Sequence, residues 1–158
     1  MPWLDTALHL ALGLMVLVIL AVISYRDAKT SEIPDALNLA LLVLGVVALI
    51  IVPEVGLRSR LIGLVAVSAP LLLLALAKPD SLGGGDVKLM AAAGFLLGWQ
   101  HVLLAAALGI LFAGIYALGL IALKKASLRE KFPFGPMLCT GIAITYFFGS
   151  AILTWLFP

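Results

Sequence analysis

The chain has 158 residues, of which 64% are hydrophobic and only 11% charged. Soluble domains average about 25% charged residues, so this composition excludes a water-soluble globule and points to an all-α, polytopic membrane protein with one domain over residues 1–158. The net charge of +2 says little by itself; no nucleic-acid partner is expected, and the placement of the charges is more informative.

A helix needs about 20 residues to cross the hydrocarbon core. Six apolar runs approach that length, at 6–24, 36–53, 61–77, 87–99, 101–123 and 135–157. The opening Met1-Pro2-Trp3-Leu4-Asp5 has no basic segment, so the first run is expected to be a retained helix and not a cleaved signal. After it comes Thr30-Ser31-Glu32-Ile33-Pro34-Asp35, in which Pro34 pushes Ile33 away from helical angles and begins the second helix. Glu32 and Asp35 then sit near a helix start, where the dipole favours negative charge. The third run is followed by Asp80 and by Leu82-Gly83-Gly84-Gly85-Asp86-Val87-Lys88. The fourth run is short, and its glycine-rich lead-in suggests a start below the membrane surface, where protein or a wet cavity must cover the backbone. The fifth carries Ala105, Gly109, Ala113 and Ala117 at every fourth position, a stripe that lets helices pack closely in lipid; Gly94 and Gly98 do the same on the fourth. A basic loop with Lys124, Lys125, Arg129 and Lys131 leads into Phe132-Pro133-Phe134-Gly135-Pro136, a rigid start for the sixth helix.

Cytoplasmic loops are enriched in Lys and Arg. Connections one, three and five hold Arg26, Lys29, Lys78, Lys88, Lys124, Lys125, Arg129 and Lys131, which is eight of the ten basic residues. The second connection holds only Arg58 and Arg60, and the fourth holds none. Six transmembrane helices with both the N-terminus and the C-terminus outside follow from this distribution. Trp3, Trp99 and Trp155 then fall at the outer ends as interfacial anchors. The expected location is the cytoplasmic (inner) membrane.

This arrangement puts Asp27 and Asp86 on the same face. An acid at the mouth of an apolar segment is costly to keep near lipid and is a functional candidate by default. Two carboxylates at matching depth can converge on one water; when close, they share a proton. One takes a proton from the water while the other polarises a peptide carbonyl. Gly83, Gly84 and Gly85 would leave room for an extended peptide beside Asp86. The residues alone leave other readings open: Asp27 as a membrane-edge ion pair with Arg26 or Lys29, and the glycines as a turn that Asp86 caps. Cys139 is the only cysteine, so no disulfide framework and no Cys-based metal site is available. His9 and His101 are isolated from acidic neighbours, and no metal or other cofactor is expected.

Leu82-Gly83-Gly84-Gly85-Asp86-Val87-Lys88-Leu89 resembles the GxGD signature of the type IV prepilin peptidases. Phe132-Pro133-Phe134-Gly135-Pro136 resembles their PFGP element, and Asp27 followed by Ile33-Pro34-Asp35 and Leu37 is similar to their first catalytic segment. Three matches in the right order, over nearly the whole chain, are more specific than any one alone. The resemblance implies an intramembrane aspartic endopeptidase. It would remove the basic leader of prepilin-like proteins at the cytoplasmic membrane face, with Asp27 and Asp86 as the catalytic pair. The substrate would be a basic leader followed by an apolar helix lying in the bilayer. Asp35 or Asp80 would meet the leader's positive charge. Lys88, Pro133, Gly135 and Pro136 are further substrate-binding candidates on the same face. Bifunctional members carry an added N-terminal region with paired CxxC motifs linked to methylation of the new pilin N-terminus. This chain is similar instead to the short, peptidase-only members found with tight-adherence (Flp-type) pili, and methyltransferase activity is expected to be absent.

Two other classes compete. A small proton-coupled transporter also places carboxylates and glycine breaks within the membrane, but here the acids gather at one face and no internal repeat is evident. A pilus-assembly membrane protein without catalysis is the third. Loss of cleavage on replacing either Asp separates the peptidase from both.

Overall fold

The computed structural model describes residues 2–78, 83–122 and 134–157, with side chains from residue 6 onward. Asp80, Leu82, Phe132, Pro133, the basic residues Lys124 to Lys131 and the side chain of Trp3 lie outside the described residues. Among the described residues there are seven helical segments: α1 (Pro2–Thr30), α2 (Asp35–Ile51), α3 (Leu57–Ala66), α4 (Ser68–Ala77), α5 (Gly84–Leu97), α6 (Trp99–Ala122) and α7 (Gly135–Leu156). Among the described residues there is no strand.

Each of the six apolar runs is helical, but the helices do not all have the length that six crossings require. Among the described residues, four stretches are long and apolar enough to cross a membrane: Thr6–Thr30, Leu57–Ala77, Trp99–Ala122 and Gly135–Leu156. The third of these is α3 and α4 in series. Pro70 has no N–H to offer the Ala66 carbonyl, and the helix is interrupted at Val67 before it resumes. α2 has 17 residues and α5 has 14. At 1.5 Å per residue α5 spans about 21 Å, against about 30 Å of hydrocarbon. α2 stops at Val52 because Pro53 forces its predecessor out of helical angles. α5 stops at Gly98, whose φ of +83° reverses the chain into α6.

α5 is the central element. Ten of its 14 residues are buried, and α2, α3, α4, α6 and α7 all pack on it. Its Gly94 meets Gly63 of α3 backbone to backbone, with no space for a side chain on either. On the far side, α6 and α7 pack through Gly109 and Gly141. A Cβ on Gly109 would come within 2.9 Å of Leu138 Cδ2, and one on Gly141 would run into the α6 backbone. The small-residue stripe thus works as close packing.

The least exposed charged residue among those described is Arg60 on α3, 0% exposed. Short helices leave their last carbonyls without partners, and near lipid water does not replace those partners. Arg60 supplies them. Its Nη2 donates to Ala48 O (2.9 Å) and Val52 O (3.0 Å) at the end of α2, and its Nη1 to Phe95 O (3.2 Å) and Leu96 O (2.6 Å) at the end of α5. Its Nε takes Val55 O at 2.9 Å. The guanidinium therefore ties two helix C-termini together, where their dipoles favour a cation. Arg60→Met would keep much of the length and lose all five bonds. It is expected to cost about 3 kcal/mol or more, read as a lower thermal midpoint in detergent; an unchanged midpoint would refute this role.

Candidate active site

The opposite ends of α2 and α5 carry the acids. α1 runs six residues beyond its apolar stretch, so Asp27 lies in its final turns, before Ser31 (φ 52°) ends the helix. A carboxylate at a helix C-terminus faces the unfavourable end of the dipole. α7 compensates: the Gly135 N–H, one of the free donors in its first turn, donates to Asp27 Oδ2 at 3.0 Å. Pro136 follows within that first turn, where its missing N–H has no helical partner to lose. A Cβ on Gly135 would stand 2.7 Å from Asp27 Oδ2 and 2.8 Å from its Cγ, so only glycine admits this carboxylate.

Asp86 lies in the first turn of α5, with Gly83 as N-cap. Its backbone N–H donates to Gly83 O at 3.1 Å. Its carboxylate lies against the Gly83 N–H and within the field of Asp27. Both acids are 6% exposed. The two carboxylates, far apart in sequence, are thus brought to one end of the bundle by the N-termini of two helices. Asp86 Oδ1 is buried and has no hydrogen-bond partner among the described residues. Such an oxygen is costly to leave alone.

The three glycines differ. Gly84 has open space around it, and a Cβ on Gly83 would make only an ordinary 3.4 Å contact with Asp86 Oδ2. At Gly85 a Cβ would stand 2.8 Å from the Cβ of Ile33, in the α1–α2 connection. The space at Gly85 is therefore filled by Ile33, whereas the sequence reading left it for a peptide. Gly85→Val is expected to lower cleavage by about 100-fold or more, since small displacements of reacting groups are that costly, and Gly84→Ala by no more than about twofold. Equal initial rates for the two variants, at matched protein levels, would reduce the loop to a plain turn.

Asp35 and Lys88 face each other across the α2–α5 seam as an exposed ion pair at 2.7 Å, with a second contact at 2.8 Å. They pair with one another in this structure. Lys29 lies over the Tyr25 ring at 4.7 Å and not on Asp27. Glu32 is exposed in the α1–α2 connection.

Two neighbours were not singled out by sequence reasoning. Cys139, one turn after Gly135 and buried, lies within the field of both carboxylates. Asn38 on α2, 6% exposed, donates Nδ2 to Gly85 O at 3.4 Å. A polar amide on the buried face of an otherwise apolar helix was the available signal for Asn38. Cys139 had none. Among the described residues no group of three or more His, Cys, Asp or Glu could hold a metal ion.

Residues 14–118, which include both aspartates, match the family described as Type IV leader peptidase family. The chain is 37% identical over 142 residues, 83% of its length, to a prepilin leader peptidase/N-methyltransferase of Burkholderia pseudomallei, covering 44% of that protein. It is 31% identical over 148 residues to the protein of that name from Aeromonas salmonicida, 90% of this chain and 51% of the relative. With the Bacillus subtilis protein of the same name it shares 25% over 149 residues, 94% of this chain and 60% of the relative. No solved structure matches. The chain spans about half the length of the curated relatives it matches. On the family match and on these identities, the chain belongs to the type IV leader peptidase family.

Proposed function

We propose that this protein is an intramembrane aspartic endopeptidase that cuts the basic leader from type IV prepilin-like proteins, with Asp27 and Asp86 as its catalytic pair. The observation that carries this reading is the burial of two acids from separate helices at one end of the bundle, Asp86 within the field of Asp27. One of them is held by a helix N-terminus, and the other keeps an oxygen without a partner. Two close acids hold one proton between them, which supplies a base for water and an acid for the peptide carbonyl. A transporter reading has less support, because both acids gather at one end of the bundle, away from its middle.

The finer parts of the proposal follow. The chain crosses the inner membrane six times with both termini outside, α2 and α5 completing the count within the bundle. The pair faces the cytoplasm, as the bias of Lys and Arg toward connections one, three and five supports. The substrate's apolar helix lies in the bilayer, and the substrates belong to Flp-type, tight-adherence pili. Asp35, Asp80, Lys88 and the open backbone at Gly83 and Gly84 meet the leader. These 158 residues carry the peptidase, since the family match lies within them, and with Cys139 as their only cysteine they hold no paired CxxC motifs for methyl transfer.

One preparation tests these points. Inside-out vesicles holding the protein and a methyl donor receive a prepilin, and the product is weighed by mass spectrometry. The expected product is the shortened pilin with an unmodified N-terminus, formed in inside-out but not right-side-out vesicles. An uncut prepilin overturns the peptidase. A product heavier by one methyl group overturns the single activity, and cleavage only in right-side-out vesicles overturns the cytoplasmic face.

A further inference from the structure

We propose that Asn38 holds the shared proton on Asp86, which makes Asp86 the acid and Asp27 the base of the pair. The proposal rests on the peptidase reading and divides its labour.

Each carboxylate lies against a backbone N–H at the start of a helix, Gly135 for Asp27 and Gly83 for Asp86, and the two differ in the oxygen that is left over. Asp27 Oδ2 accepts a backbone N–H at the start of a helix, an interaction that favours the anion. Asp86 Oδ1 accepts nothing among the described residues. A second buried orphan of the same kind is Asn38 Oδ1, on the side chain that reaches Gly85, the residue before Asp86. The amide's orientation is fixed by its other end, since only Nδ2 can donate to Gly85 O, the carbonyl just before Asp86. Two buried acceptors are costly if both stay unpaired. A carboxylic-acid proton on Asp86, donated to Asn38 Oδ1, satisfies both at once.

Among the described residues, neither Asp27 nor Asp86 is in an ion pair. Among the described residues, the titratable groups in the field of Asp86 are Asp27 from α1 and Cys139 from α7, while Asp35 of α2 is paired with Lys88. α4 ends at exposed Lys78. Arg60 of α3 lies at the other end of α5, bound to carbonyls, and His101 lies at the start of α6, near Ser150.

The reaction balances with this assignment. The Asp27 carboxylate takes a proton from water as its oxygen bonds to the scissile carbon, and Asp86 gives its proton to the carbonyl oxygen. In the gem-diol that results, Asp27 returns its proton to the leaving nitrogen as the C–N bond breaks. The diol hydroxyl proton goes back to Asp86. One water is consumed, and the pair ends as it began.

The test is infrared difference spectroscopy of the purified protein in detergent at neutral pH, alongside the pH profile of kcat/KM. The C=O stretch of a protonated carboxyl should be present in the wild type, retained in Asp27→Asn and missing in Asp86→Asn. In Asn38→Leu, close to Asn in size but unable to accept, the band should shift as its hydrogen bond is lost. The alkaline limb of the pH profile should then move down by about one unit, because the neutral acid loses its acceptor. Should Asn38→Leu fail to insert, Asn38→Ser, whose side chain is shorter than Asn, provides the same two readouts. A band that survives in Asp86→Asn, or Asn38 variants that leave both band and limb in place, would overturn the assignment. The band is read without substrate, so its failure and a failure of cleavage are told apart.

Discussion

Asp27→Asn and Asp86→Asn should each lower prepilin cleavage by at least about a thousandfold, while the protein still inserts and folds. Asn keeps the size of Asp and much of its hydrogen bonding, so the Gly135 contact to residue 27 and the first turn of α5 both survive. It cannot take a proton from water or share one with a partner carboxylate. Groups that act as a unit fail together, so either single loss should cost nearly as much as both. Activity should fall at both pH extremes, since the singly protonated pair is the working form, and the two apparent pKa values will belong to the pair. Asp35→Asn should be much milder. Its carboxylate is exposed and engaged with Lys88, and exposed ion pairs contribute at most about 1 kcal/mol. The measurement is initial cleavage rate at matched protein levels. Near-normal turnover by Asp27→Asn beside an inactive Asp35→Asn would move the catalytic pair elsewhere.

Gly135→Ala, one methyl group, should cost about 100-fold or more in kcat. The added Cβ would stand 2.7 Å from Asp27 Oδ2, closer than real Cβ contacts allow. The carboxylate must swing away and give up its 3.0 Å bond to the Gly135 N–H. A displacement of about 1 Å at a reacting group costs on that order. α7 itself should persist, because Ala is a better helix former than Gly. Circular dichroism and thermal midpoint should therefore stay near wild type while turnover collapses. A variant with full turnover would mean that Asp27 works without its α7 donor.

The sequence made the elements legible and left their joints obscure. Six apolar runs announce six helical stretches, because lipid imposes its own length scale on the pattern. The ends were harder. α1 continues to Thr30, since the polar residues after Ser24 are still good enough helix formers, and this makes Asp27 part of a helix and not of a loop. The interruption at Val67 had a visible cause in Pro70, yet an unbroken apolar run hid it. The two aspartates stood out because ionisable groups beside apolar runs are rare, and the motif around Asp86 gave them company. Arg60 did not stand out. In the sequence it counts as one of two basic residues in a short connection, whereas its role depends on carbonyls from the ends of two other helices and the loop between. Those partners have no side-chain identity, so no residue pattern can advertise them. The same holds for the Gly135 N–H, a backbone group whose value appears only once α7 is docked on α1.

The Arg60 clamp also has a mechanical side. α2 and α5 lie parallel, and at their carboxyl ends a guanidinium that keeps its charge across the whole working pH range binds both. At their amino ends they are joined by the exposed Lys88–Asp35 pair and the 3.4 Å Asn38–Gly85 bond, both weak by comparison. The two rods are therefore pinned like the arms of tongs, with the pivot at Arg60. A rotation of about 10° there carries Asp86, some ten residues up the arm, through about 2–3 Å. The amino ends of the two helices, one of which carries Asp86, are thus the less firmly joined.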